Sequence, residues 1–156
     1  MAHFDAFEQF RMTGHVAIVT GGAQNIGEGI ARTFSGAGAS VMIADLNGDK
    51  AAATAKAISQ DTGNEVRGIG CNVTVEADIE RCVAETVTAF GAVSTLVNNV
   101  GWGRAYDDPL AISPEEMIES YKLNTIAAMR MTAACRPHLL QATNASITNS
   151  GSMVGV

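Results

Sequence analysis

The sequence predicts a doubly wound α/β fold on a parallel sheet, and three observations carry that prediction. Short apolar runs alternate with segments whose apolar residues recur every three or four positions, as in strands joined by helices. A glycine-rich turn separates the first run from the first helical segment, and an aspartate closes the second run. Strands that alternate with helices pair in parallel through right-handed crossovers. The expected strand order is 3-2-1-4-5.

Each element follows in turn. His15 to Thr20 is an apolar run ended by Gly21 and Gly22, a buried strand feeding a tight turn. Ile26, Ile30 and Phe34 mark one face of a first helix, which Gly36 and Gly38 end. Ser40 to Ala44 reads as strand two, with Asp45 at its carboxyl end. Residues 49–60 are alanine-rich, favour helix and close at Gly63. Residues 66–73 predict a third strand despite Gly68 and Gly70, which weaken strands. Ile79, Val83, Val87 and Phe90 line a third helix ended by Gly91, and Thr95–Asn98 is strand four.

Ser113, Pro114 and Glu116 make a strong helix start: an N-cap serine, proline at the first position and a glutamate placed to close a capping box. The stripe Met117, Tyr121, Asn124, Ala128, Met131 and Cys135 extends that helix until Pro137 bends or ends it. Ser146–Asn149 resembles a fifth strand running into Ser150, Gly151 and Ser152. The sequence stops four residues later without another helix, an end that reads as a truncation after strand five.

Of the 156 residues, 47% are hydrophobic and 17% charged, enough for one domain with a core and too few for two. A single domain over 1–156 is expected, with 1–13 as an N-terminal extension. There Phe4, Phe7 and Phe10 form either a docking stripe or a turn laid on the surface. The 10 Lys and Arg against 16 Asp and Glu leave a net charge of −6, which offers no general grip on nucleic-acid phosphates or anionic lipid. Cys71, Cys82 and Cys135 form no CxxC pair and predict reduced core thiols; His3, His15 and His138 are scattered, so no metal is expected. The N-terminus lacks the pattern of a secretory signal and no apolar stretch nears the roughly 20 residues of a membrane span. A cytoplasmic protein is expected.

The turn Thr20-Gly21-Gly22-Ala23-Gln24-Asn25-Ile26-Gly27 opens a helix. Glycines let a backbone approach a pyrophosphate closely, and the helix's unpaired N–H groups receive the anion. Such turns also occur simply to pack a helix on a strand. Asp45 favours the binding reading, because it stands about 20 residues beyond the turn, where an acid receives the adenosine ribose hydroxyls. A 2′-phosphate beside that carboxylate would meet a repulsion of about 4 kcal/mol at ~4 Å and an effective dielectric of about 20. Even halved by screening, this favours NAD over NADP.

With Asn98, Asn99, Val100 and Gly101 after strand four, Asn72 and Val73 after strand three, Asn124 in the long helix and Ser152 after strand five, the chain resembles the short-chain dehydrogenase/reductase family over residues 14–156. The resemblance implies a Rossmann fold and an NAD-dependent oxidoreductase acting on a small alcohol or ketone, forming a homo-oligomer at full length. It implies that Gly21, Asn25, Ile26 and Gly27 meet the pyrophosphate, Asp45 and Leu46 the adenosine ribose, and Asn72 and Val73 the adenine. Asn98, Asn99 and Gly101 would form the floor under the cofactor. Asn124 would hold the helix and a water in a proton relay, and Ser152 would bond the substrate oxygen.

Three residues depart from the family's common pattern: Asn25 and Val100 stand where glycine and alanine are usual, and Asn72 where an aspartate is usual. Asparagine tolerates positive φ, so the turn survives. The family's proton donor, a tyrosine four residues before a lysine, has no counterpart: neither Tyr106 nor Tyr121 is so followed. A general acid/base typically supplies 10²–10⁴-fold in rate, so the chain as it stands is expected to be inactive. The alternative is a nucleotide-binding module with no catalysis.

Overall fold

The computed structural model describes residues 6–103 and 111–152. Strands β1 (Val16–Thr20), β2 (Ser40–Asp45), β3 (Val66–Gly70), β4 (Thr95–Asn98) and β5 (Ser146–Asn149) form one parallel sheet in the order β3-β2-β1-β4-β5. Helices α1 (Asn25–Gly36), α2 (Gly48–Thr62) and α3 (Glu76–Phe90) connect the first four strands. An interrupted helix joins β4 to β5: α4 (Pro114–Tyr121), a π-helical turn (Lys122–Ile126) and α5 (Ala127–Leu139). This is the expected Rossmann architecture.

Side chains alternate across a strand, and that sorts the core into two layers. Ile18, Met42, Ala44 and Leu96 face α3 and α5, meeting Ile79, Cys82, Met131 and Cys135. Ala17, Val19, Val41, Ile43 and Val97 face α1 and α2, meeting Ala31, Ala51, Ala55 and Ile58. Cover on both faces explains why β1 reads as a continuous apolar run rather than an alternating one. Burying one such valine or isoleucine contributes roughly 1.5–3 kcal/mol.

Two local expectations, on the face of α1 and the end of β3, need correction. In α1 the buried residues are Gly27, Ala31 and Ser35, one position on from the expected stripe, while Ile30 and Phe34 pack at its margin and Ile26 is 72% exposed. The cause is close approach: a Cβ on Gly27 would stand 2.1 Å from the Gly21 carbonyl oxygen. Strand β3 ends at Gly70 rather than at residue 73; Cys71 N–H still donates to the Asp45 carbonyl, after which Asn72 Oδ1 accepts from the Thr74 N–H and turns the chain. Gly68 belongs in β3 because α2 lies on it, and a Cβ there would be 2.2 Å from the Ala51 carbonyl carbon.

The long helix starts as expected, with Pro114 at its first turn and Ser113 and Glu116 closing both bonds of a capping box. Its stripe does not run through. Met117 and Tyr121 are exposed, and the buried residues are Ala127, Met131, Cys135 and Leu139. A π turn inserts an extra residue between two α segments and rotates one face against the other. Pro137 lies inside α5, which ends two residues later at Leu139. At the N-terminus a 3₁₀ turn covers Ala6–Phe10 and leaves Phe10 exposed; Phe4 and Tyr106 lie outside the described residues.

Candidate functional site

Parallel strands deliver their carboxyl ends to one edge, and strand order reverses between β1 and β4, the crevice where doubly wound sheets bind ligands. The glycine turn, Asp45, residues 98–101 and the segment after β5 all meet that edge. Gly21 and Asn25 both adopt left-handed backbone, at φ 62° and 51°. Asn25 is the sole non-glycine to do so among the described residues, the tolerance expected of asparagine.

Thr20 is the hub that joins turn to floor. Its buried hydroxyl donates to the Val97 carbonyl and accepts from the N–H groups of Asn99 (3.0 Å) and Val100 (3.3 Å). Asn99 Nδ2 donates to the carbonyls of Thr20 (3.2 Å) and Gly21 (3.3 Å). Asp45 joins the turn from β2: Oδ2 accepts from the Ala23 N–H at 3.1 Å and Oδ1 from the Asn47 N–H at 3.0 Å. Asn47 caps α2. A carboxylate has about four lone-pair sites, so each oxygen keeps capacity for a ligand hydroxyl.

Along this edge runs an open groove of about 370 Å³. Gly21, Gln24, Asn25 and Ile26 line it on the turn side, Asp45 and Leu46 on the β2 side, and Asn99, Val100 and Gly101 beneath. Ile26 and Leu46 are strongly exposed there. Gly27 lies behind the turn, its missing Cβ allowing Gly21 and Asn99 to close in. Asn98 sits below the floor, its Nδ2 donating to Asn149 Oδ1 (2.9 Å) and, at 3.4 Å, to Ala128 O and Thr132 Oγ1. Asn72 and Val73 follow β3, outside the lining; Asn72 Oδ1 accepts from the Thr74 N–H and hydroxyl, and Val73 is buried.

At the other end of the edge, Asn124 lies in the π turn. Its Oδ1 accepts from the Trp102 N–H and its Nδ2 donates to the Trp102 carbonyl, both at 2.8 Å, with Ser120 Oγ a further acceptor. Its amide thus clamps the chain leaving the floor. Ser150 N–H donates to Asn98 O, and Ser152 is exposed two residues on.

Sequence reasoning assigned no role to Thr20, Gln24 or Thr54, which reach the turn through contacts distant in sequence or line its groove. The three thiols are unpaired and buried in the layer under α3 and α5. Burial pushes Cys135 up to about 12. Cys82 is pushed up by its bond to Cys71 and by burial, while that bond draws Cys71 down.

The short chain dehydrogenase family model matches residues 15–156. The chain belongs to this family. It is 34% identical to the L-fucose dehydrogenase of Bos taurus over 145 residues, 93% of this chain and 52% of that one. It is 31% identical to the 7alpha-hydroxysteroid dehydrogenase of Escherichia coli (strain K12), across 85% of this chain and 51% of that one. A solved 7 alpha-hydroxysteroid dehydrogenase, complexed with NADH and 7-oxo glycochenodeoxycholic acid, superposes with a TM-score of 0.89 at 29% identity, covering 98% of this chain and 58% of the other. The chain spans about half the length of the curated relatives it matches.

Proposed function

We propose that the protein is an NAD-dependent oxidoreductase that interconverts a secondary alcohol and its ketone. The observation that carries this reading is the single groove joining the glycine turn, the Asp45 carboxylate and the Asn99–Val100–Gly101 floor. Gly21 and Gly27 let the turn's backbone and the start of α1 approach a pyrophosphate, whose charge the helix N-terminus favours. Asp45, already oriented by two backbone N–H groups, accepts from the ribose hydroxyls beside Leu46 and repels a 2′-phosphate. Asn72 and Val73 would flank the adenine, next to the turn in which Asn72 Oδ1 accepts from the Thr74 N–H and hydroxyl. The nicotinamide, when bound, supplies the two-electron redox chemistry.

The chain's own contribution at the reacting end is orientation. Ser152 would bond the substrate oxygen, as donor or acceptor, and Asn124 fixes the Trp102 backbone and the π turn beside Gly101. The substrate class follows the relatives, named for L-fucose and a 7α-hydroxysteroid. The exposed Met117, Ile118, Tyr121 and Met129 support a homo-oligomeric full-length form, and no helix among the described residues is long and apolar enough to cross a membrane. A cytoplasmic location agrees with this reading.

A calorimetric titration tests the reading: NAD⁺ should bind more tightly than NADP⁺, and Asp45→Ala should narrow the gap. Equal affinity in the unaltered chain contradicts it. The alternative reading is a nucleotide-binding module without turnover. Following NADH absorbance over a panel of ketones and alcohols, beside a form extended through any downstream reading frame, separates the two. Turnover confined to the extended form supports the oxidoreductase; none in either supports the module.

A further inference from the structure

We propose that Thr54, on α2, is a positioning residue for the cofactor site: with Asp45 it holds Ala23 by both backbone polar groups and so sets the outer limb of the glycine turn. This rests on the cofactor reading of that turn given above. Ala23 is 1% exposed, so its N–H and C=O are cut off from water and need partners in the protein. The N–H donates to Asp45 Oδ2 at 3.1 Å, and the C=O accepts from Thr54 Oγ1 at 2.9 Å across 31 residues of sequence.

The direction of the Thr54 hydroxyl is itself informative. A threonine inside a helix commonly turns its hydroxyl onto the carbonyl four residues back. Thr33, Thr62, Thr86 and Thr88 all do so, onto Gly29, Ile58, Cys82 and Ala84. Thr54 gives its proton to the turn instead. Both anchors of Ala23 come from one continuous unit, β2 running into α2, whose Lys50 also donates to Gln24 Oε1. Gln24 lines the groove next to Asp45. Because Ala23 N–H is tied to the same carboxylate that would receive the ribose, a turn that shifts at Ala23 moves Gln24 and disturbs Asp45 together. Thr54 is the point that prevents the shift, without touching the ligand.

The test measures dissociation constants of NAD⁺ and ADP-ribose by calorimetry, at a temperature where circular dichroism shows every form folded. Thr54→Val should weaken both ligands by the same factor, about tenfold for one anchoring hydrogen bond lost. Thr54→Ser, which keeps the hydroxyl, should restore binding, and Thr88→Val, which loses only a local bond, should leave it unchanged. Wild-type affinity in Thr54→Val overturns the inference, as does a Thr54→Ser as weak as the valine form or an equal loss in Thr88→Val. Should the valine form not fold, Thr54→Cys, with a weaker donor, should bind both ligands more weakly than wild type, and a cysteine form binding as tightly as wild type overturns the inference. Absence of binding by the unaltered chain overturns the cofactor reading and this inference with it.

Discussion

The glycine turn and the segment after β5 share one edge of the sheet but are held in different ways. In the turn, Ala23 and Thr20 are each 1% exposed, and Asp45, Asn99 and Thr54 bond its backbone from three elements. In β5 all four residues are exposed, and beyond its ladder to β4 it is tied mainly through Asn98 and Thr95. Among the described residues, the turn proposed to hold the nucleotide is bonded from several elements, whereas the segment proposed to face the reaction is bonded from few. Substitutions at the first should therefore affect binding and global stability together, and those at the second should change local order at little global cost.

The largest effect is expected at Gly27. Its replacement by alanine forces a methyl against the Gly21 carbonyl and Asn99 Nδ2, and overpacking of this kind costs about 1–3 kcal/mol or more. Urea denaturation should report about 3 kcal/mol, with cofactor binding lost. A cost below ~1 kcal/mol would show that the turn yields, and the contrast between the two ends would collapse.

Thr20→Val removes the hydroxyl between β1 and the floor and strands buried backbone groups, at about 2 kcal/mol. The same denaturation series checks it. Cys135, on the buried face of α5, is shut off from solvent, and that burial pushes its thiol up. The folded chain holds this proton where the unfolded chain has lost it, so stability is fully present below the ordinary thiol value of 9.0 and falls as pH rises towards about 12. Cys135 alone contributes a slope of at most about 1.4 kcal/mol per pH unit, to which the buried Cys82, pushed in the same direction, adds. A flat stability profile over that range would mean water reaches these thiols.

The smallest effect is expected at Asn124. Asn124→Ala releases the Trp102 backbone, but at an exposed site the cost should stay near 1 kcal/mol or less. Trp102 is the chain's one tryptophan, so its emission should shift while the denaturation midpoint barely moves. A large drop in midpoint would place the reacting end among the rigid parts.

Features legible in the sequence were those encoded locally. Ser113, Pro114 and Glu116 announce their capping box within four residues, and Gly63 and Gly91 end their helices in left-handed conformation. The sheet order followed from strand–helix alternation. The π turn was not legible, because periodicity extrapolates through an inserted residue and exposes the error only when Met117 and Met131 are seen on different faces. The face of α1 was misjudged because close approach at Gly27 selects small residues over the apolar Ile26. Thr20 and Thr54 escaped notice because their partners lie 31 or more residues away, and side-chain bonds of that reach leave no local pattern.

Titrating the ¹⁵N-labelled chain with NAD⁺ tests most directly whether the cofactor lies in the groove between the glycine turn and the β4 floor, as proposed. Amide shifts should be largest at Gly21, Gln24, Asn25, Leu46 and Gly101, with smaller changes elsewhere. Shifts centred instead on the open surface between α2 and β3, at Ala52, Lys56 and Arg67, would contradict it.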